Sequence, residues 1–278
     1  MAPNMRRLLT ELYTKVGNRL MGTSFYGQSW DSYVKGFRGS EHSEHAYPGD
    51  EWGTPASWED TYQRLLAANG AAEWQRVVEI GSGNGKYTSM LLNRSAATIL
   101  ACDVSKAFLR VLTKRCQTEK VGGRLITAHL KGRAPDELLT AIENHNWQGR
   151  VDAVVSIDAM VHVDLQYLAT YFVTAGIALR PGGVLAMTLA DATSPHGMTK
   201  LLEDISLYYP RQGQPSHKFE FLGPDIIRGL LPRLGFTIEL LESDAGEIGT
   251  GRDMFLVARK DGQQESADLI RYLGRKPA

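Results

Sequence analysis

From residue 75 onward, short apolar runs alternate with segments of helical periodicity. Five of these runs are apolar on both faces, which is typical of buried strands in a parallel sheet. Parallel neighbours need a crossover between them, and the helical segments supply it on both faces of the sheet. The predicted strands span residues 76–80, 98–102, 124–128, 152–157 and 184–189, and the predicted helices span residues 86–94, 105–117, 135–146 and 165–179.

The alternation changes toward the end of the chain. After a predicted helix near residues 224–233, strands at 236–241 and 254–258 are joined by a polar loop without a helix. Consecutive strands joined in this way pair antiparallel. We therefore predict an α/β fold with a seven-stranded sheet, made of five parallel strands and a terminal antiparallel hairpin, with helices on both faces.

Charge and cysteine content restrict the class of protein. The 278-residue chain has 31 basic and 31 acidic residues, so its net charge gives no general attraction to nucleic acid or to an anionic membrane. No apolar run approaches the roughly 18 residues of a membrane span. The two cysteines, Cys102 and Cys116, fit reduced thiols. We expect a cytoplasmic protein without a nucleic-acid or membrane partner.

Two segments precede the alternating region. Residues 1–20 carry apolar side chains at helical spacing with basic residues beside them, which predicts an amphipathic helix docked on the main domain or on a second subunit of a homodimer. Residues 23–56 mix glycine-rich turns with large aromatic groups and are interpreted as a lid. Ser57 is the predicted N-cap of the next helix. The predicted division is an N-terminal helix and lid (1–56), a main domain (57–260) with a substrate-binding insertion (191–222), and a C-terminal tail or helix (261–278).

A glycine loop, E-I-G-S-G-N-G-K-Y-T, follows the first predicted strand. Its spacing does not match the P-loop, and its third glycine, Gly85, comes one residue too early for a dinucleotide-binding loop. Glu79 stands two residues before Gly81 and would repel a phosphate. A carboxylate at this point suits a ligand that carries an ammonium group.

The pattern E-x-G-x-G-x-G resembles motif I of the class I S-adenosylmethionine-dependent methyltransferases, over roughly residues 57–260. The resemblance implies a Rossmann-like fold, S-adenosylmethionine as cofactor, Glu79 supporting the loop or reaching the methionine ammonium, and Asp103 accepting hydrogen bonds from the ribose hydroxyls. Where the family commonly places an acid near adenine, this chain has His129 and Leu130. The cofactor contacts expected from the resemblance are Glu79, Gly81, Ser82, Gly83, Asn84, Gly85, Asp103, Val104, His129, Leu130 and Asp158.

The fourth predicted strand runs into S-I-D-A-M-V-H-V-D, where this fold places its reaction centre. His162 is the first candidate for a general base that removes a hydroxyl proton, and His217 in the insertion is the next. A histidine that bonds a backbone carbonyl is the structural alternative for His162. Asp158 is expected to touch the cofactor or the acceptor, with a turn cap as its alternative. Asp158 and Asp191 together could hold Mg²⁺ and lower the pKa of an acceptor hydroxyl.

The acceptor is less clearly indicated. Trp30, Tyr33, Trp52 and Trp58 offer flat faces, which bind sugars, planar rings and cations alike. The lead segment and the loop after the fourth strand resemble bacterial methyltransferases of sugar, glycan and secondary-metabolite clusters. We predict O-methylation of a hydroxyl on a small polar or saccharide acceptor. The alternatives are a small-molecule N-methyltransferase, a nicotinamide-dependent oxidoreductase and a non-catalytic cofactor-binding subunit.

Overall fold

The computed structural model describes residues 25–39, 42, 44–131, 135–208, 219–243, 251–262 and 266–274. The predicted helix of residues 1–20 and the candidate base His217 lie outside these ranges. So does the end of the predicted C-terminal tail, whose described part contains a short helix and a 3-10 turn, Arg271–Leu273.

The strands of the described chain form one sheet. They are β1 (Arg76–Ile80), β2 (Thr98–Asp103), β3 (Leu125–His129), β4 (Val151–Ser156), β5 (Leu179–Ala190), β6 (Phe236–Ser243) and β7 (Asp253–Lys260). Their order in the sheet is β3-β2-β1-β4-β5-β7-β6. β1 to β5 pair in parallel, and β7 pairs antiparallel with both β5 and β6. This topology confirms the predicted Rossmann-like sheet of five parallel strands and a terminal hairpin.

Helices cover the sheet. They are α1 (Phe25–Gly36), α2 (Pro55–Leu65), α3 (Lys86–Arg94), α4 (Lys106–Thr118), α5 (Asp136–Asn144), α6 (Leu165–Ala178), α7 (Pro195–Tyr208), α8 (Pro224–Leu230) and α9 (Ser266–Ile270). Within the ranges given above, none of these helices is both long enough and apolar enough to cross a bilayer.

The start of α2 differs from the prediction that Ser57 is its N-cap. Thr54 is the N-cap: its hydroxyl accepts a hydrogen bond from the Ser57 N–H at 3.2 Å, and Ser57 Oγ accepts one from the Thr54 N–H at 2.8 Å. Pro55 takes the first helical position, where the missing N–H costs nothing. Ser57 therefore belongs to a capping box as its third helical residue rather than as the cap.

The core lies in two layers, one on each face of the sheet. Alternate strand residues point to opposite faces, so Val77 and Ile99 pack on one side and Val78 and Leu100 on the other. Phe172 of α6 is fully buried in the second layer. Burial on both faces explains why the central strands read as continuous apolar runs.

The position of the site follows from the strand order. β1 pairs with β2 on one side and with β4 on the other, so the connections that leave β1 and β4 turn to opposite faces of the sheet. A cleft opens outside the carboxyl ends of the strands at such a switch point, and ligands of open α/β sheets bind there. The glycine loop and the Asp158 loop both begin at this edge.

Candidate active site

The glycine loop packs more closely than side chains would allow. Gly81, Gly83 and Gly85 have positive φ angles of 69°, 52° and 81°. A Cβ atom on Gly81 would lie 2.2 Å from Ala159 Cβ, and one on Gly85 would lie 2.8 Å from Leu112 Cγ. A Cβ atom on Gly83 would meet nothing within 4 Å. The loop is thus held from behind at its ends and leaves space at its centre.

Two carboxylates border this space, and both are almost completely buried. Glu79 Oε2 accepts a hydrogen bond from Thr88 Oγ1 at 2.5 Å, and burial raises the pKa of Glu79 to about 7. Asp103 Oδ2 accepts from the Gly83 N–H at 2.8 Å and Oδ1 from the Ser105 N–H at 2.7 Å. Burial raises the pKa of Asp103 to about 6. Each carboxylate keeps unused lone pairs, so the pair can bind an ammonium group and hydroxyls.

The cleft is open to solvent, and its wall includes the glycine loop and both carboxylates. Ser82 Oγ lies at its wall and is one of two buried side-chain atoms without a hydrogen-bond partner in the described chain. A buried polar atom without a partner is costly. This atom, the space at Gly83 and the two carboxylates all fit a polar, cationic ligand in the cleft.

The cofactor contacts predicted after β2 and at the end of β3 separate into two groups. Val104 and Leu130 border the cleft. His129 does not, because its imidazole Nε2 lies 3.1 Å from the Val104 carbonyl oxygen and burial lowers the pKa of the ring. The Leu130 N–H donates to the Asp103 carbonyl at 2.9 Å. The His129 ring is thus bonded to the neighbouring backbone, and the cofactor contact expected of His129 stays a prediction.

Residues 44–53 and α1 lie over the mouth of the cleft, where a lid would be. Trp30, Gly49 and Trp52 form part of its wall. Lys86 Nζ donates to the carbonyl oxygens of Gly49 and Trp52 at 3.2 and 3.0 Å. Asp31 Oδ1 accepts from Ser105 Oγ and from the N–H of residue 107 at 2.6 and 2.9 Å, at the start of α4.

Further hydrogen bonds join residues 44–53 to the glycine loop itself. Asn84 Nδ2 donates to Asp50 Oδ1 at 2.8 Å, and Arg115 binds the same oxygen at 2.5 Å. Asp50, Asn84 and Arg115 are all buried. The Asn84 side chain, predicted as a cofactor contact, thus borders the cleft but bonds the segment above it.

The loop after β4 carries a strained aspartate. Asp158 has φ of 55° although it is not glycine, a conformation that clusters at functional sites. Its N–H donates to Thr188 Oγ1 at 2.8 Å, and its Oδ1 accepts from Arg252 at 2.9 Å. Arg252 also binds Asp253 in a bidentate pair at 2.6 Å, and its guanidinium carbon lies 4.1 Å from the centre of the Phe219 ring.

Arg252 and Phe219 were missed by the sequence analysis. A signal for Arg252 existed: it stands just before β7, and an antiparallel strand begins at the edge where its parallel neighbour β5 ends. No comparable signal marks Phe219. It is brought to the site because the Glu220 N–H donates to the Val161 carbonyl at 2.8 Å.

His162 lies between two aromatic rings. Its ring centroid is 5.7 Å from that of Trp30 and 4.8 Å from that of Phe219. His162 borders the cleft and also a second pocket beside it. The shared wall of the two compartments is Trp30, Trp52, Asp158 and His162, and the second pocket adds Tyr33, Gly53, Phe219 and Arg252.

The predicted Mg²⁺ site on Asp158 and Asp191 is not supported. Asp191 Oδ1 accepts from the N–H and the hydroxyl of Thr193 at 2.8 and 2.7 Å, and its Oδ2 accepts from Ser243 Oγ. Asp158 is paired with the Arg252 guanidinium. The described part of the chain contains no group of three His, Cys, Asp or Glu residues placed to hold a metal. Asp191 instead stabilises the start of the insertion (residues 191–222) by accepting hydrogen bonds from Thr193.

The comparison with protein families agrees with this geometry. Residues 77–183 match the family model described as a methyltransferase domain. That range runs from β1 into β5 and includes the glycine loop, Asp103 and His162. No protein of curated function matches the chain in sequence.

Solved structures share the fold at low identity. Magnesium protoporphyrin IX methyltransferase from Synechocystis PCC 6803 with bound SAH matches with a TM-score of 0.60 and 14% identity, covering 87% of this chain and 100% of that one. A structure concerning conversion of a disulfide bond into a thioacetal group during echinomycin biosynthesis gives 0.57 and 16%, covering 89% and 98%. An S-adenosylmethionine-dependent methyltransferase from Mesorhizobium loti gives 0.53 and 17%, covering 74% and 98%.

These proteins differ in the reactions that their descriptions name, so the shared fold does not identify the acceptor. The comparisons therefore show a methyltransferase domain match over residues 77–183 and, over most of the chain, the Rossmann-like fold that the sequence predicted.

Proposed function

We propose that the protein transfers a methyl group from S-adenosylmethionine to a hydroxyl of a small acceptor, a saccharide or a secondary metabolite. The observation that carries this proposal is the shared wall of the two compartments: His162 faces both the cleft and the second pocket. A base in that position can reach an acceptor at the point where the methyl group arrives. The balanced charge of the chain favours a small molecule over nucleic acid.

The cleft residues have distinct roles in this proposal. Glu79 faces the ammonium group of the cofactor, since a buried carboxylate is most favourably compensated by a cation. Asp103 accepts hydrogen bonds from the ribose hydroxyls with the lone pairs that Gly83 and Ser105 leave. Ser82 Oγ, which lacks a protein partner, bonds the amino-acid end.

The chemistry then needs a base and a fixed geometry. When bound, S-adenosylmethionine supplies a sulfonium methyl group, whose carbon is attacked by the acceptor oxygen while the C–S electron pair stays on sulfur. His162 accepts the hydroxyl proton, a contribution typically worth about 10²- to 10⁴-fold in rate. Asp158, held by Thr188 and Arg252, positions the loop that carries His162. Trp30 and Trp52 exclude water from the point of transfer.

Two variants test the separate roles. Replacing Asp103 by Ala should abolish binding of S-adenosylmethionine in isothermal titration. Replacing His162 by Ala should lower turnover by about 10²- to 10⁴-fold, with cofactor affinity retained. His145→Ala is the matched control, because His145 is exposed and borders neither compartment.

An acceptor screen that detects S-adenosylhomocysteine decides between the remaining functions. Hydroxyl acceptors that depend on His162 support the proposal. Turnover of amines alone would establish the small-molecule N-methyltransferase, and cofactor binding without turnover of any acceptor would establish a non-catalytic subunit. Normal cofactor affinity in Asp103→Ala would remove the assignment of the cleft.

A further inference from the structure

We propose that the second pocket binds a neutral, planar ring that carries the hydroxyl, a phenol rather than a saccharide. This inference rests on the proposed function and names the acceptor class of the same site. It comes from the nature of the pocket walls, from the pairing of the charges in them, and from the acidity that a histidine base requires.

The walls are dominated by flat side chains from three separate segments. Tyr33 of α1 stacks on Trp52 with centroids 5.2 Å apart and planes at 26°. Trp30 meets Trp52 edge-on at 5.7 Å, and Phe219 closes the other side next to His162. Aromatic faces and edges of this kind favour a second planar ring in stacked or edge-to-face contact.

One guanidinium at the pocket is shared by two carboxylates. Arg252 is bonded to the carboxylates of Asp158 and Asp253, and the three groups form an ion cluster. An anionic acceptor would meet the excess of carboxylate charge and would compete with these carboxylates for Arg252. A neutral acceptor leaves the cluster intact, which avoids the cost of a buried unpaired charge.

The hydroxyl of Tyr33 is also already bonded. The Tyr33 hydroxyl bonds Glu51 and accepts from the Gly49 N–H at 3.1 Å. A saccharide presents several hydroxyls, and each one that enters without a partner weakens binding by about tenfold. A phenol presents one hydroxyl, whose proton His162 would accept as the base of the proposed reaction.

The acidity of the acceptor hydroxyl also favours a phenol. The pKa of a phenolic hydroxyl is near 10, as in tyrosine, whereas a hydroxyl group comparable to that of water is far less acidic. A neutral imidazole removes a proton efficiently when the two pKa values are not far apart. The base that the pocket offers is therefore better matched to a phenol than to an alcohol.

The test is equilibrium binding of two probes to the protein saturated with S-adenosylhomocysteine. We expect 2-naphthol to bind saturably, with quenching of tryptophan fluorescence, and methyl α-glucoside to bind at least tenfold more weakly. Phe219→Leu and Trp52→Leu should each weaken naphthol binding about 5- to 10-fold, since a planar contact is lost. Tyr272→Leu, a change on an exposed aromatic residue outside the pocket, should leave it unchanged.

The outcomes separate this inference from the proposed function. Naphthol binding that both pocket variants weaken supports the inference. Tighter binding of the glucoside, or naphthol binding that neither variant affects, overturns it. His162-dependent methylation of a saccharide with no naphthol binding would also overturn it while leaving the proposed function in place. Failure of the cofactor to bind would instead remove the proposed function.

Discussion

The cleft and the second pocket are neighbours, yet they are built differently. One wall of the cleft is a single short stretch, the glycine loop, joined by Asp103 at the end of the adjacent strand. Its key contacts are made by backbone N–H groups and two carboxylates. The second pocket collects side chains from α1, from the turn at Trp52, from the β4 loop and from the start of β7.

This difference determines what each compartment tolerates. A backbone-built loop depends on local conformation, so a single added methyl group can disrupt it. A pocket built by convergence of distant segments depends on the contacts that hold those segments, above all the Arg252 cluster. A variant that disrupts one compartment should therefore leave the other intact, and the variants below test this.

The largest effect is expected from Gly81→Ala. The new Cβ would be 2.2 Å from Ala159 Cβ at a φ of 69°, so the loop must move. Overpacking and the left-handed conformation together should cost about 3 kcal/mol of the free energy of unfolding. S-adenosylmethionine binding should fall below detection in isothermal titration.

The matched control is Gly149→Ala. Its φ of 64° is similar, but a Cβ there meets nothing within 4 Å. Urea unfolding should show a loss of only about 1 kcal/mol, from the conformation alone, with normal cofactor affinity. Equal losses in the two variants would contradict the close packing assigned to the loop.

Arg252→Met should damage the second pocket and leave the cleft working. It leaves the carboxylates of Asp253, which is buried, and Asp158 without their cation. Breaking a buried pair by removing one partner costs about 3 kcal/mol. Turnover should fall strongly, while affinity for S-adenosylmethionine changes less than threefold.

Arg259→Met provides the comparison for that variant. Arg259 lies on β7, the strand that follows Arg252, and pairs at 2.7 Å with Glu239, but both side chains are more than a third exposed. The free energy of unfolding should change by about 1 kcal/mol or less. If Arg252→Met behaves the same way, the ion cluster does not support the pocket.

The pH dependence of cofactor affinity tests the buried carboxylates. Because the pKa of Glu79 is about 7 in the folded protein, a cationic ligand binds best above that pH, where the group is ionised. Affinity for S-adenosylmethionine should fall by up to tenfold per pH unit below 7, and more steeply below about 6, where Asp103 also takes up a proton.

Stability without ligand should change in the opposite direction. The ordinary pKa of Glu79 is 4.5, so between pH 4.5 and 7 the folded protein keeps a proton that the unfolded chain releases. The contribution of this group to stability is complete below 4.5 and is lost as the pH rises through 7. Titrations and urea unfolding at pH 5.5, 6.5 and 7.5 measure both trends, and Glu79→Gln should flatten the part near 7. An affinity independent of pH would contradict the assigned role of Glu79.

The smallest effect is expected from Asp31→Ala, which removes the hydrogen bonds between α1 and the start of α4. α1 contributes Trp30 to both compartments. The Asp31 carboxylate accepts two hydrogen bonds at the start of α4, in the manner of a helix cap. Its loss should cost about 1 kcal/mol in urea unfolding. Asp225→Ala, at an exposed surface pair, is the control and should be nearly neutral.

Much of the fold was readable from the sequence because its causes are local. Runs of apolar residues, helix spacing and the glycine loop depend on neighbours within a few positions, so most strand ends were predicted within two residues. The exception is β5, which begins at Leu179, five residues before its predicted start. The N-cap of α2 was misplaced because Thr54 and Ser57 are both capping residues, and the backbone conformation selects between them.

The positions of the cleft carboxylates were predictable for the same reason, since Glu79 and Asp103 stand at fixed positions in or after apolar runs. The partner of a carboxylate cannot be predicted from its neighbours along the chain. Asp158 and Asp191 both follow strands, and the sequence suggested a metal between them. Only the folded chain brings Arg252 to Asp158 and Ser243 to Asp191.

The sequence by itself determined the strands and helices, their parallel alternation with a terminal hairpin, and the loop that suits a cationic cofactor, because each is set by residues close along the chain. Tertiary structure alone decided what stands beside His162. Trp30 and Phe219 are far from it in sequence and are brought there by packing and backbone bonds of other segments. Such convergence depends on the whole fold, and no short pattern encodes it.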